Sequence, residues 1–105
     1  MKYLQETRSP LILAPGLVLN LQKRGIEYNN TFISLRQREQ EFLQLLHDRR
    51  NAFLSYEAIE AELWQDKEMT THALKSFIKE LRSKLPFNII KNIPQAGYTL
   101  DKGDL

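Results

Sequence analysis

The sequence of 105 residues contains no cysteine, which excludes disulfide bonds, thiolate metal sites and cysteine nucleophiles together. It also has no apolar run of the roughly 18 to 20 residues that a membrane-spanning helix needs. Pro15 and Gly16 interrupt the longest apolar stretch, Leu11 to Leu21. The segment from Met1 to Pro10 lacks the apolar core of a signal peptide. These absences predict a chain that stays out of the membrane, in a reducing cytoplasm.

Residues that could support catalysis or metal binding are equally scarce. His47 and Asp48 are adjacent, but no nucleophile or second base accompanies them at a suitable spacing. His47 and His72 fall on separate predicted elements, and two histidines do not form a metal site without further ligands. The sequence has no glycine-rich phosphate loop. We therefore expect a protein that is not an enzyme and that has no metal or cofactor.

Positive charge is concentrated in one segment, although the net charge is only +2. Between Thr70 and Leu85 there are four lysines and arginines and a single acidic residue, Glu80, whereas residues 35–64 carry 4 basic and 6 acidic residues. With 42% hydrophobic and 27% charged residues, the chain has the composition of one folded domain. The local asymmetry predicts a docking face on an otherwise ordinary surface.

The first third of the chain alternates short apolar runs with turns, which predicts four antiparallel strands. The runs are Leu11 to Leu13, Leu17 to Leu21, Ile26 to Tyr28 and Thr31 to Ser34. Turns are expected at Ala14-Pro15-Gly16, at Lys23-Arg24-Gly25 with Gly25 in the left-handed conformation, and at Asn29-Asn30.

From Leu35 onward the apolar period becomes helical and predicts three helices. The first spans about Leu35 to Asp48, with Ser34 and Gln37 forming a capping box. The second begins at a Ser55 cap and ends near Trp64; the third follows a Thr70 or Thr71 cap and is stopped by Pro86. At these periodic positions we interpret Phe42, Tyr56, Trp64 and Tyr98 as core residues rather than base-stacking residues.

The C-terminal segment predicts a β-hairpin. Its arms are Ile89 to Ile93 and Tyr98 to Leu100, with Pro94 at the second position of the turn and Gly97 as its left-handed residue. A helix, a short link, a second helix, a loop, a basic helix and a hairpin follow one another in the order of a winged helix-turn-helix. The predicted fold class is therefore α+β, with an N-terminal four-stranded antiparallel sheet, three helices and a C-terminal hairpin wing.

The third predicted helix has two contrasting faces. An apolar stripe of Leu74, Ile78, Leu81 and Leu85 indicates a side that packs on the core. A second arc consists of hydrogen-bond donors: Lys75, Lys79 and Arg82, with Thr71, His72, Ser76 and Ser83 adjoining. Taken alone, such an arc is also typical of a solvated helix surface. The order of elements favours insertion into the DNA major groove, where cations meet phosphates and base edges.

Several motifs resemble the OmpR/PhoB-type DNA-binding effector domain of bacterial two-component response regulators. The resemblance rests on Leu35 with Glu39, Phe42 and Leu46, on Ser55 to Trp64, on Ile78 to Leu85, which matches I-x-x-L-R-x-K-L, and on Gly97-Tyr98. It implies a winged-helix domain over residues 11–100, preceded by a linker or flexible N-terminus at 1–10 and followed by a frayed terminus at 101–105. The implied function is sequence-specific binding of double-stranded DNA as the output module of a transcription regulator in phosphorelay signal transduction.

The resemblance also assigns surfaces. The donor arc of the third helix would enter the major groove, and the wing would reach the backbone through Lys91, Asn92 and Gln95. Arg49 and Arg50 either touch phosphate or simply end the first helix favourably. The loop Gln65, Asp66, Lys67, Glu68 and Met69 is a candidate contact for RNA polymerase. A receiver domain is a candidate partner in the full-length protein, and the isolated domain is expected to be a monomer that pairs on tandem DNA half-sites.

Three departures from the family pattern keep alternatives open. Lys75 stands where the family usually has an acidic residue, Pro94 stands where the wing often carries a minor-groove arginine, and Arg36 replaces the threonine that commonly opens the first helix. The first two favour an alternative in which the winged helix binds RNA polymerase or a receiver domain and has degenerate DNA binding. Nonspecific nucleic-acid packaging is a third alternative, which a net charge of +2 disfavours.

Overall fold

A computed structural model describes residues 10–65 and 67–101, and it begins with a four-stranded antiparallel sheet. The strands follow in spatial order β1 (Leu11–Ala14), β2 (Leu17–Asn20), β3 (Gly25–Tyr28) and β4 (Thr31–Ser34). Gly16, with φ of 77°, closes the first turn, and Asn29 and Asn30, with φ of 51° and 64°, form the third. These are residue types that tolerate left-handed backbone, so the turns predicted here are confirmed. The predictions for residues 1–9 and 102–105 lie outside the described residues.

The turn between β2 and β3 differs from the prediction. Arg24, not Gly25, has the left-handed backbone, with φ of 55°. Gly25 is the first residue of β3, where an added Cβ would overlap the Phe32 ring and the Ile33 carbonyl oxygen. Glycine is therefore needed here for a close approach between strands and not for its positive φ.

Helix α1 (Gln37–Asp48) begins later than the sequence predicts, and the Ser34–Gln37 capping box is wrong. Ser34 pairs with Gly25 as the last residue of β4, so the chain stays extended past it and Arg36 becomes the N-cap. The carboxylate of Glu39 accepts a hydrogen bond from the Arg36 backbone N–H at 2.9 Å. Glu39 thus satisfies one of the free donors at the helix start.

The other two helices have the predicted caps. Helix α2 (Tyr56–Leu63) begins after Ser55, whose hydroxyl accepts from the Ala58 N–H at 3.0 Å. Helix α3 (Thr71–Lys84) begins after Thr70, whose hydroxyl accepts from the Ala73 N–H at 3.0 Å. Pro86 follows directly after the C-cap of α3, where its ring prevents further helix.

A second sheet of three strands contains the hairpin and one strand that the sequence analysis treated as a plain link. The strands are β5 (Leu54–Ser55), β6 (Ile90–Ile93) and β7 (Gly97–Leu100), in the spatial order β5-β7-β6. Pro94 occupies the second position of the turn as predicted, but Gln95, with φ of 65°, is the left-handed residue. Gly97 belongs to β7, where a Cβ would overlap the Leu54 carbonyl oxygen, so it permits the pairing of β5 with β7.

The core lies between the N-terminal sheet, the three helices and the base of the hairpin. Phe42 is fully buried, and its ring makes edge-to-face contacts with Phe77 and Tyr98 at centroid distances of 5.6 and 6.1 Å. The predicted stripe of α3 is buried, as are Trp64 and Tyr98. No helix in the described part of the chain is long and apolar enough to cross a membrane. The winged helix-turn-helix fold predicted from the sequence is confirmed.

Candidate nucleic-acid interface

Helix α3 presents a polar face on the side opposite its buried stripe. Six of the seven side chains predicted for this face are exposed: Thr71, His72, Lys75, Ser76, Lys79 and Ser83. Neither Lys75 nor Lys79 forms an ion pair with any residue that the structure describes. Glu80, the acidic residue of α3, pairs with Arg36 at 3.1 Å. The face therefore carries two unneutralised ammonium groups among hydroxyl and imidazole donors.

Arg82 is placed differently from the other six. Its side chain is partly buried, and its Nη2 donates to the carbonyl oxygen of Ile90 at 2.6 Å. Its Nε is buried and has no hydrogen-bond partner among the described residues. At 100° per residue, Arg82 lies only about 40° around the helix from Ile78, at the border of the buried stripe. The guanidinium thus faces the base of the hairpin instead of the open surface.

The hairpin lies beside α3 and exposes its polar residues. Lys91, Asn92, Pro94 and Gln95 are all exposed. The Tyr56 hydroxyl of α2 donates to Asn92 Oδ1 at 3.4 Å, which links the second helix to β6. This contact was not foreseen, because the helical period assigned Tyr56 only to the core.

Tyr98, on β7, lies between the helices and the hairpin. Burial raises the pKa of its phenol above 10.0, and the nearby Tyr56 raises it further, whereas the positive charge of Arg82 acts in the opposite direction. Its ring makes an edge-to-face contact with Tyr56 at 6.0 Å. Through Tyr56 and Phe42, Tyr98 therefore packs the hairpin against α2 and α1.

A cleft opens between α2 and the first turns of α3, close to the polar face. Its walls include Tyr56, Glu57, Thr71, Lys75 and Tyr98. Glu57 is exposed in the first turn of α2, so a carboxylate and the Lys75 ammonium line the same opening. Lys75 is a predicted site residue and Glu57 is not, although the Ser55 cap already places Glu57 in the first turn of α2.

The loop between α2 and α3 is held at both ends. Glu60 of α2 accepts from the Met69 backbone N–H at 3.0 Å, and the Lys67 N–H donates to the Trp64 carbonyl at 3.1 Å. Gln65, Lys67 and Glu68 are exposed and Met69 is partly buried, while Asp66 lies outside the described residues. Three polar side chains are thus displayed on an anchored segment.

The end of α1 holds the remaining predicted cations. Arg50 donates from its guanidinium to the His47 carbonyl at 2.9 Å, and the Arg49 backbone N–H donates to the Leu45 carbonyl at 3.1 Å. Both residues thus satisfy carbonyl groups at the helix C-terminus, where a positive charge is also favourable. Among the described residues there is no group of three histidines or carboxylates that could hold a metal ion.

Comparison with known proteins gives a consistent picture. The family model for the C-terminal domain of transcriptional regulatory proteins matches residues 29–100. The transcriptional regulatory protein QseB of Haemophilus influenzae is 36% identical over 87 residues, which is 81% of this chain and 39% of QseB. The chain thus spans well under half the length of this relative.

Solved structures share the fold. The DNA-binding domain of CpxR from E. coli has a TM-score of 0.74 at 24% identity, covering 89% of this chain and 96% of that one. The DNA-binding domain of RstA from Klebsiella pneumoniae, solved in complex with the RstA box, has a TM-score of 0.71 at 18% identity, covering 84% and 93%. Since the family model matches most of the chain, it belongs to the family of transcriptional regulatory C-terminal domains, the OmpR/PhoB-type winged-helix DNA-binding domains.

Proposed function

We propose that this DNA-binding domain reads a specific double-stranded site as the output module of a bacterial transcription regulator, with α3 in the major groove. The observation that carries the proposal is the polar face of α3, on which Lys75 and Lys79 are exposed beside the hairpin and form no ion pair with the described residues. The major groove is wide enough for an α-helix, and lysine can meet either phosphate or the acceptor edge of guanine. The RstA domain, which has the same fold, binds its own DNA box.

The roles within the face follow from where each side chain lies. Lys75 and Lys79 supply the charge, and base edges would be read by the exposed donors beside them: Thr71, His72, Ser76 and Ser83. The Ser83 hydroxyl donates to the Glu80 carbonyl at 2.6 Å, which leaves its oxygen as an acceptor toward the groove. Base reading therefore depends mainly on the first two turns of α3.

The hairpin acts as a backbone contact rather than a minor-groove reader. Lys91, Asn92 and Gln95 are exposed and can donate to phosphate oxygens, whereas Pro94 at the tip has no donor. Arg50, also exposed, is a further candidate for phosphate. These contacts set the orientation of the domain on DNA and contribute affinity that decreases as salt increases.

The wider role of the domain is part of the same proposal. The anchored loop from Gln65 to Met69 exposes Lys67 and Glu68, which can contact a partner protein. The partner we propose is RNA polymerase, which a transcription regulator meets at a promoter. The chain spans 39% of QseB, so a receiver domain fits within the remaining length of a protein of that size. Such a regulator works in the cytoplasm, catalyses no reaction, and pairs on tandem half-sites while the free domain is monomeric.

Selection from random duplex DNA tests the proposal. The purified domain is used to enrich binding sequences, and the enriched site is then titrated against scrambled DNA at two salt concentrations. We expect a short motif, present as a direct repeat, with at least about tenfold preference, the scale of one good base contact. Equal and steeply salt-dependent binding to both duplexes would contradict the proposal. It would favour the alternative that Lys75 and Pro94 support, a winged helix that docks on protein.

A further inference from the structure

Arg82 is the one cation of α3 that bonds to the hairpin within the described part of the chain. Its Nη2 lies 2.6 Å from the Ile90 carbonyl oxygen, while Lys84 pairs with Glu39 and the two other lysines of the helix are exposed. Ile90 is fully buried and is the first residue of β6. The bond therefore joins the last turns of the recognition helix to the base of the wing.

Two backbone links in the described chain tie the wing to α2: the Tyr56 N–H donates to the Ala96 carbonyl at 3.2 Å, and β5, which leads into α2, pairs with β7. Neither reaches β6, an edge strand that pairs, among the described residues, with β7 alone. Apart from Arg82, the side-chain bond that reaches β6 from a helix of the described chain is the 3.4 Å contact between Tyr56 and Asn92, which is long for a hydroxyl donor. The shorter, charge-assisted bond from Arg82 is accordingly the stronger restraint on where β6 lies relative to α3.

We propose that Arg82 is a positioning residue: its guanidinium holds the base of the wing against α3 so that both engage one duplex together, and it does not itself contact a phosphate. The proposal rests on the DNA-binding function argued above. A guanidinium that turned toward DNA would give up its bond and leave the buried Ile90 carbonyl without a donor. Binding through two linked contacts is tight only when their spacing is set before DNA arrives.

The test measures how affinity for the selected DNA site depends on salt, in a background that removes the wing cation. Lys91→Gln and the double variant Lys91→Gln/Arg82→Gln are titrated between about 50 and 200 mM salt, with Lys91→Gln/Lys79→Gln as the matched control. Each lost phosphate contact lowers the slope of log affinity against log salt by about 0.9. Relative to Lys91→Gln alone, we expect the slope of the Lys79 control to fall by about 0.9 and the slope of the Arg82 double variant to stay unchanged.

The DNA affinity of each variant is the second readout. A residue that only stabilised the fold would leave the DNA affinity of the folded protein unchanged. In the wild-type background, Arg82→Gln should weaken specific binding about tenfold once the wing is no longer held. A fall of about 0.9 in the slope of the Arg82 double variant would overturn the proposal and make Arg82 a phosphate contact. If Arg82→Gln does not fold, Arg82→Met in the same Lys91→Gln background serves instead, since it removes both the charge and the donors. A slope lower by about 0.9 then means a phosphate contact, and weaker binding with an unchanged slope supports positioning.

The two proposals fail in different ways. If the wild-type domain selects no motif and binds all duplexes equally, both are wrong. The wild type can bind a specific site while the Arg82 double variant shows the same fall in the slope of log affinity against log salt as the Lys79 control. In that case only the positioning role is wrong.

Discussion

The buried ion pair between Glu39 and Lys84 offers a quantitative test of how α1 and α3 are held together. The Glu39 Oε1 lies 2.7 Å from the Lys84 Nζ and also accepts the Arg36 backbone N–H at 2.9 Å. The Glu39 side chain is 2% exposed and that of Lys84 is 26% exposed. One carboxylate thus caps the first helix and binds the last turn of the recognition helix.

The magnitude of the effect of Glu39→Gln follows from these contacts. Removing one partner of a fully buried pair typically costs about 3 to 5 kcal/mol. The cost should be smaller here because Lys84 is partly exposed and can move its ammonium toward water, and because the glutamine oxygen can still accept from Arg36. We expect the free energy of unfolding to fall by about 2 to 3 kcal/mol. For a domain of this size, that lowers Tm by roughly 8 to 24 °C.

Urea denaturation of Glu39→Gln, Lys84→Met and the double variant measures the coupling, which should be about 1 to 3 kcal/mol. The control is the exposed pair of Lys23 and Glu27, 3.7 Å apart with side chains 65% and 38% exposed. Glu27→Gln should change the free energy of unfolding by less than about 0.5 kcal/mol. If Glu39→Gln costs no more than Glu27→Gln, the argument that burial makes this pair matter is wrong.

Three further substitutions test the DNA-binding face and the wing. Lys79→Ala should weaken binding to the selected site, measured by fluorescence anisotropy, and leave the unfolding free energy within about 0.5 kcal/mol, because the side chain is exposed; an unfolded variant would contradict the helix phase. Gly97→Ala should cost about 1 to 3 kcal/mol in urea unfolding, since its methyl would overlap the Leu54 carbonyl; wild-type stability would disprove the register of β5 with β7. Pro94→Arg should tighten binding to sites with A·T-rich flanks, and unchanged affinity would place the tip outside the minor groove.

Helix α3 shows what the sequence could predict. Its apolar period and its Pro86 stop identify the helix, its buried stripe and its exposed face, because these depend only on residues within the helix and on one neighbour. The position of Arg82 could not be obtained in this way. It lies at the border between the two faces, where the side chain turns toward whichever acceptor is nearest, and that acceptor comes from Ile90 in a different element.

The roles of two glycines also depend on contacts that local sequence does not reveal. Local sequence led us to place Gly25 and Gly97 in left-handed turns, yet both lie in strands and are needed because other chain segments pass close to them. The left-handed positions belong to Arg24 and Gln95. Strand β5 was missed for a similar reason, since its two residues are recognisable only through their pairing with β7, more than forty residues later. Contacts between segments far apart in sequence decided each of these cases.

The way the cations of α3 are used also bears on how tightly one domain can bind. Lys84 is paired with Glu39 and Arg82 bonds to Ile90, so of the four lysines and arginines of the helix only Lys75 and Lys79 remain for DNA. Phosphate contacts from these two lysines, from Lys91 and from Arg50 would make log affinity fall with log salt with a slope of only about 3.6, well below that of tightly binding repressors. If the proposed function is right, the remaining affinity at physiological salt comes from base reading and from a second domain bound at an adjacent half-site. The charge distribution therefore favours the proposed pairing on tandem sites.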